Sequence, residues 1–472
     1  MRQHIKCLKG SNFIGNLPMK IINPLFAISA VILLLFTTGA SAKVTPEEAA
    51  RLGKDLTPIG GEKSGNADKT IPDWTGGLEK IPAGFQRGQP YIDPFADDPI
   101  LFTIDQSNMD QYLDHLSLGQ QALLKTYSSF SMPVYKSHRP VGYSDELIKL
   151  VNKNAISAEL VQNGNGLKNS GANYPFPIAQ NGLEALWNHI RRYRGGSLNR
   201  TYVHATPTKS GKFTPITFYE EFSERASLKD FAKNKDDNVM LYFKQAVKSP
   251  ARLAGNVLLV HDTIDQVKEP RRAWIYNAGQ RRVRRAPQVS YDSPGTASDA
   301  LITADNFDMY NGAPDRYDWN LEGKKELYVP YNSYKLDDKS LTYKDIIKPL
   351  HINTQYSRYE LHRVYKVIGT LKQGKRHIYQ KRVHYIDEDT WAILGSDFYD
   401  GKGNIWRVAE GHNKYFYDIG TALPTVSAYY DLLSGRYLVT GLANEIKTKF
   451  DFDRKFSTKD FSPSALRRSG KR

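Results

Sequence analysis

Two histidine–carboxylate pairs are the first places where this chain could do chemistry. His189 follows Glu184 by five positions, and His362 follows Glu360 by two. A histidine beside a carboxylate can move a proton near neutral pH, and in a cleft such a pair would suit a hydrolase or lyase. A five-residue offset sits poorly on one helical face, so surface and core roles compete for Glu184 and His189. Asp397, Asp400 and Asn404, set around Gly401 and Gly403, offer oxygens to calcium. The EF-hand spacing and its closing Glu are absent, and a hairpin turn accounts for them. His351, His362, His377, His384 and His412 show no zinc spacing, although His362 and His384 could meet across paired strands. Neither a G-x-S-x-G elbow nor a phosphate-binding glycine loop occurs. No catalytic residue, no metal ligand and no cofactor is therefore assigned.

Binding is the chemistry that remains. Arg281-Arg282-Val283-Arg284-Arg285, with Arg271-Arg272 on the partner strand, puts arginines on both faces of a hairpin. Arginine on an apolar face needs a buried carboxylate or a bound anion, so a salt-bridged network and an anionic headgroup site are both open. Trp74 centres the turn-rich run Ile71-Pro72-Asp73-Trp74-Thr75-Gly76-Gly77, which is either a ligand-contacting loop or a rigid one pinned by a buried indole. The candidate ligand-binding residues are Trp74, Trp187, Trp274, Arg282 and Arg284.

The elements that must position them change period along the chain. Lys43 to about Phe102 begins with a short helical stretch, then turns rich in Gly and Pro, as a wrapping segment does. Apolar residues at three- and four-residue spacing predict helices over Asn108–Tyr127 and Ser144–Val161, and a third after Asn181, which could cap it. After about Tyr202 the period becomes two. Strands are expected at 256–261, 272–277 and 281–285, and a meander follows with turns at Gln373-Gly374-Lys375, Asp400-Gly401-Lys402-Gly403 and Leu433-Ser434-Gly435. Short Gly-containing turns build an antiparallel sheet, with one apolar face to bury. The helices between 105 and 195 are its expected cover. They either fill that face or leave an apolar pocket beneath a helical lid.

Residues 1–42 read as an export signal. Arg2, Lys6, Lys9 and Lys20 precede an apolar run over 25–36, and Ala40-Ser41-Ala42 closes it. The only cysteine, Cys7, lies in that leader, so disulfides, a thiol nucleophile and a lipoprotein anchor are excluded from the mature chain. The leader holds four of the 65 Lys and Arg and none of the 50 acids, leaving 61 basic against 50 acidic side chains, an excess of 11. Outside the inner membrane that charge has lipid headgroups, lipopolysaccharide phosphates and acidic small molecules to meet, not nucleic acid, and a solvated basic surface with no partner is the other reading. The expected division is 1–42 leader, 43–200 wrapping segment and helical lid, 201–452 sheet meander, and 453–472 basic tail, with 43–452 one integrated domain.

Four blocks resemble the domain-of-unknown-function family 1329 of exported Gram-negative proteins. They are Gly65-Asn66 … Ile71–Gly77, Pro175-Phe176-Pro177 … Glu184–His189, Pro270–Tyr276 and Gly279–Pro287. More distantly, Ile386-Asp387 … Thr390-Trp391 … Tyr399-Asp400-Gly401 resembles segments of the LolA/LolB lipoprotein carriers. That resemblance implies an α+β fold, a large strongly curved antiparallel sheet forming an unclosed barrel, covered on its concave apolar face by helices. The family 1329 resemblance implies work beside membrane exporters of the RND type and outer-membrane proteins. The leading functional expectation is a periplasmic carrier or chaperone for a lipid-like or other hydrophobic ligand, with peripheral membrane contact. Its rivals are a docking scaffold for those transporters and a hydrolase or lyase acting on envelope lipid or polysaccharide.

Overall fold

The computed structural model describes residues 44–233, 238–286, 291–447 and 450–470, and the leader lies outside them. They form one large sheet of sixteen strands whose two ends do not meet. A first meander runs through Ser197–Ala205, Ile216–Glu224, Val239–Ser249, Val257–Thr263, Arg272–Asn277 and Arg282–Arg285, each strand antiparallel to the next. A second runs through Tyr317–Pro330, Tyr359–Leu371, Lys381–Asp387, Ile393–Tyr399, Ile405–Phe416, Thr421–Asp431 and Arg436–Leu442. The last strand of the second meander joins the first strand of the other, with Thr440 opposite His204. Tyr359 meets Val134 in a parallel pairing. Register breaks at Leu321/Lys324, His412/Asn413, Thr217/Phe218 and Thr440/Leu442 bend the strands. The unclosed, mostly antiparallel sheet with a few helices is the architecture expected.

Helix starts follow local capping. The Asn181 side chain accepts from Glu184 N at 3.0 Å and opens helix Gly182–Ile190, as its sequence suggested. The stretch expected as one helix over 108–127 is two elements. A 3₁₀ turn covers Met109–His115, and a capping box of Ser117 with Gln120 then restarts the chain as helix Leu118–Thr126. Helix Asp145–Ser157 ends earlier than expected, and Glu159–Val161 pairs as a short strand with Gly166–Lys168.

The sheet is drier than its alternation suggests. Val239 to Val247 is buried at every position, because successive side chains face two different cores. Leu241 and Phe243 belong to the inner core with Leu186, Trp187 and Trp391. Tyr242 and Ala246 point the other way, onto Phe456, Phe461 and Leu466 of the C-terminal segment. Phe456, Phe461 and Leu466 of the expected tail thus cover the outer face of the first meander. Helix Gly182–Ile190 lies against strands Tyr317–Pro330 and Tyr359–Leu371 and fills the inner face there.

Candidate functional site

The helices do not fill the whole inner face. Beside them, the first meander and the ends of Thr421–Asp431 and Arg436–Leu442 enclose a cavity of about 300 Å³. Alternation along four strands builds its wall: Leu198, Phe218, Phe222, Leu241, Phe243 and Val260 all face inward. Its roof is the segment 293–311, through Pro294, Gly295, Ile302 and Phe307. No residue of the helices between 105 and 190 lines it. The roof is thus a loop, and the helical lid expected from the sequence lies over the neighbouring part of the sheet. A single apolar face running under both elements offers no sequence signal that would divide them.

Three arginines and three carboxylates also line this cavity, and they pair with one another. Arg200 Nε donates to Glu220 Oε1 at 2.9 Å. Arg271 donates twice to Asp262, at 2.8 and 3.0 Å. Arg194 Nε donates to Asp308 Oδ2 at 2.8 Å, and Arg192, behind the wall, donates to Asp308 Oδ1 at 2.5 Å. Burial alone would raise the Asp308 carboxyl, but the guanidinium groups of Arg192 and Arg194 outweigh it and hold it well below the usual range. Gln245 Nε2 donates to the Tyr202 hydroxyl at 2.7 Å. His204 is 5% exposed, and burial holds its imidazole down to about 4, neutral at physiological pH. These groups could orient a ligand's polar end within an apolar chamber.

The two acid–base pairs are not at this cavity. Glu184 accepts from Gln180 N and caps its own helix, whereas His189 is wholly buried between the carbonyls of Trp391 and Asp308, at 3.1 and 3.0 Å. His362 Nε2 bonds Glu360 Oε2 at 3.0 Å, with 2% of its side chain exposed, and its ring stacks on Tyr331. Register places Val367, not His362, opposite His384. His362, Asp387 and Asp389 each bring one ligand atom within 4.8 Å of the others. Two of the three are engaged: Arg139 takes both oxygens of Asp389 at 2.7 Å and Glu360 takes His362 Nε2, whereas Asp387 keeps one oxygen, Oδ1, without a partner among the described residues. Arg139 also reaches Glu388, which Lys324 contacts at 2.7 Å, so this cluster clamps the N-terminal segment onto the sheet.

None of the five residues favoured from sequence lines the cavity. Trp74 is partly buried; its Nε1 donates to Val141 O at 2.8 Å and its ring lies 5.7 Å from Tyr143. Trp187 is 1% exposed and donates to Gly164 O. Trp274 leans on His261 and the outer core under the C-terminal segment. Arg282 and Arg284 are exposed on the edge hairpin. Asp400 accepts from the backbone of Lys402 and Asn404, a hairpin turn as expected.

The residues missed were Arg194, Arg200, His204, Glu220 and Asp262. A signal existed for one of them. In Leu258-Leu259-Val260-His261-Asp262, the carboxylate falls in phase with two inward apolar residues, and a buried acid needs a partner.

The family model described as "Protein of unknown function (DUF1329)" matches residues 103–467. A protein of Pseudomonas aeruginosa described as uncharacterized is 53% identical over 455 residues, covering 96% of this chain and 100% of that relative. Among solved structures, a DUF1329 family protein from Desulfovibrio piger is similar at a TM-score of 0.39 and 19% identity, over 57% of this chain and 91% of that one. A LolA superfamily protein from Nitrosomonas europaea is similar at a TM-score of 0.37 and 14% identity, over 60% of this chain and 98% of that one.

Proposed function

The chain belongs to the DUF1329 family, and on that premise we propose that it is a periplasmic carrier that holds a hydrophobic, lipid-like ligand in the cavity of the first meander. The observation carrying this reading is the chamber itself, about 300 Å³ with a largely apolar wall under a loop roof. At the roughly 30 Å³ that each water takes in the liquid, it has room for about 10 waters, which suits one chain of a small amphiphile. Burial of apolar ligand surface would contribute roughly 25 cal/mol per Å² before ordering terms are subtracted. The function requires no bond to be made or broken. The periplasmic placement rests on the leader at residues 1–42, and delivery to envelope transporters is part of the same reading.

Native mass spectrometry of protein purified from periplasm without detergent tests it. A stoichiometric apolar adduct, released on denaturation and identified as lipid, is the expected result. A clean unliganded mass, together with no binding of the apolar dye N-phenyl-1-naphthylamine, would overturn the carrier reading in favour of a docking protein.

A further inference from the structure

We infer that the polar end of the ligand is uncharged, a hydroxyl, ester or amide group and not a phosphate, carboxylate or ammonium. This rests on the carrier reading above and adds the class of molecule carried. Each of the three cations lining the cavity, Arg194, Arg200 and Arg271, already holds a carboxylate, namely Asp308, Glu220 and Asp262. His204 adds no charge, and Arg192 meets Asp308 from behind the wall. At Arg200 or Arg271 an anionic head would have to take the arginine from its carboxylate and leave Glu220 or Asp262 buried without its cation, and at Arg194 it would have to compete with Asp308, which Arg192 also holds. A cationic head would strand a guanidinium in the same way.

What the wall leaves open is neutral hydrogen-bonding capacity. His204 Nε2, Asn306 Nδ2 and Asn311 Oδ1 are buried without a partner among the described residues. All three residues line the cavity and are at least nine-tenths buried. Buried polar atoms favour an occupant that satisfies them, and together these three offer both donor and acceptor positions. The remainder of the Asn311 amide is engaged, its Nδ2 donating to Asp262 at 2.7 Å, so the open oxygen is held in a fixed direction. A neutral head can bond such atoms while every ion pair stays intact.

Displacement of N-phenyl-1-naphthylamine by three C12 amphiphiles tests this: 1-monolauroylglycerol, laurate and dodecyl phosphate, each below its micellar concentration. The neutral glyceride is expected to bind at least about tenfold more tightly than either anion. If dye binds and an anion competes equally or better, the headgroup inference fails while the carrier reading stands. If no dye binds and no adduct is found, the carrier reading itself fails. Glu220→Gln, which frees Arg200, should raise dodecyl phosphate affinity by about tenfold. Asp262→Asn does the same for Arg271 and serves if the first variant does not fold. Unchanged phosphate affinity in a folded variant would overturn the argument that pairing is what silences these arginines.

Discussion

Arg271 and Asp262 face each other in the cavity wall as a two-point pair, with 5% and 1% of their side chains exposed. Asn311 ties the roof to this pair from both sides. Its Nδ2 donates to Asp262 at 2.7 Å, and its carbonyl accepts from Arg271 at 2.5 Å. Asp262→Ala leaves a buried guanidinium without its carboxylate and removes one of the two ties to the roof, and should destabilise the protein by about 3–5 kcal/mol. Replacing both partners, as Asp262→Leu with Arg271→Met, should restore much of that loss in denaturant unfolding. A double variant as unstable as the single one would mean that the pair is not what matters there.

Asp387 gives the molecule a pH dependence with a definite sign. Its Oδ2 accepts from Thr390 at 2.6 Å and Tyr331 at 3.1 Å, while Oδ1 is buried without a partner among the described residues. Burial, and then the neighbouring Asp389, push its carboxyl from 3.8 up to about 7. Between those values the folded protein binds the proton more than the unfolded chain does, so this group's contribution falls as pH rises through that window. Asp387→Asn should gain stability relative to the parent from pH 5 to pH 8, read from unfolding midpoints at each pH. A difference moving the other way would refute the assignment.

The N-terminal segment should be as necessary to the fold as the sheet. Ile59 O accepts from Trp391 Nε1 at 2.9 Å, and Gly60 follows with φ +97°. A Cβ there would lie 1.6 Å from Pro177 O, on backbone that cannot swing aside. Gly60→Ala should therefore cost about 1–3 kcal/mol from the left-handed backbone alone, and more from the collision. Gly53 is the control. It also has positive φ, but a Cβ added there would have nothing within 4 Å, so Gly53→Ala should lose only the backbone part. Equal thermal shifts for the two variants would remove the packing argument.

Short hairpins announced themselves in the sequence because their turns are local. Gln373-Gly374-Lys375 and Leu433-Ser434-Gly435 do join paired strands. Val239–Ser249 was hidden because burial on both faces erases the alternation that marks a strand. Tyr317–Pro330 was hidden because its register break at Leu321/Lys324 changes the phase midway. The cavity was less legible still. Leu198 and Leu423 line it from positions 225 residues apart in the chain, and its roof at 293–311 has no period to read. The sequence places Arg271 on the sheet, but only topology shows that Asp262, nine positions earlier, already holds it.

Ligand binding should separate cleanly from the basic hairpin. Arg282 and Arg284 are exposed, pair by backbone with Asn277 and Ile275 at the sheet edge, and do not line the cavity. Charged side chains on an edge strand also discourage pairing with other chains. Arg282→Glu with Arg284→Glu should thus leave the dissociation constant for N-phenyl-1-naphthylamine within about twofold of the parent, a change under half of the roughly 1.4 kcal/mol that makes tenfold. Leu241 is 6% exposed and faces the chamber from Val239–Ser249. Leu241→Trp places extra ring atoms in the ligand's space, at a stability cost of about 1–3 kcal/mol if the wall must also shift. Dye affinity should then fall by more than about tenfold while the unfolding transition stays cooperative. The reverse pattern, binding lost with the arginines and kept with the tryptophan, would move the site from the cavity to the hairpin.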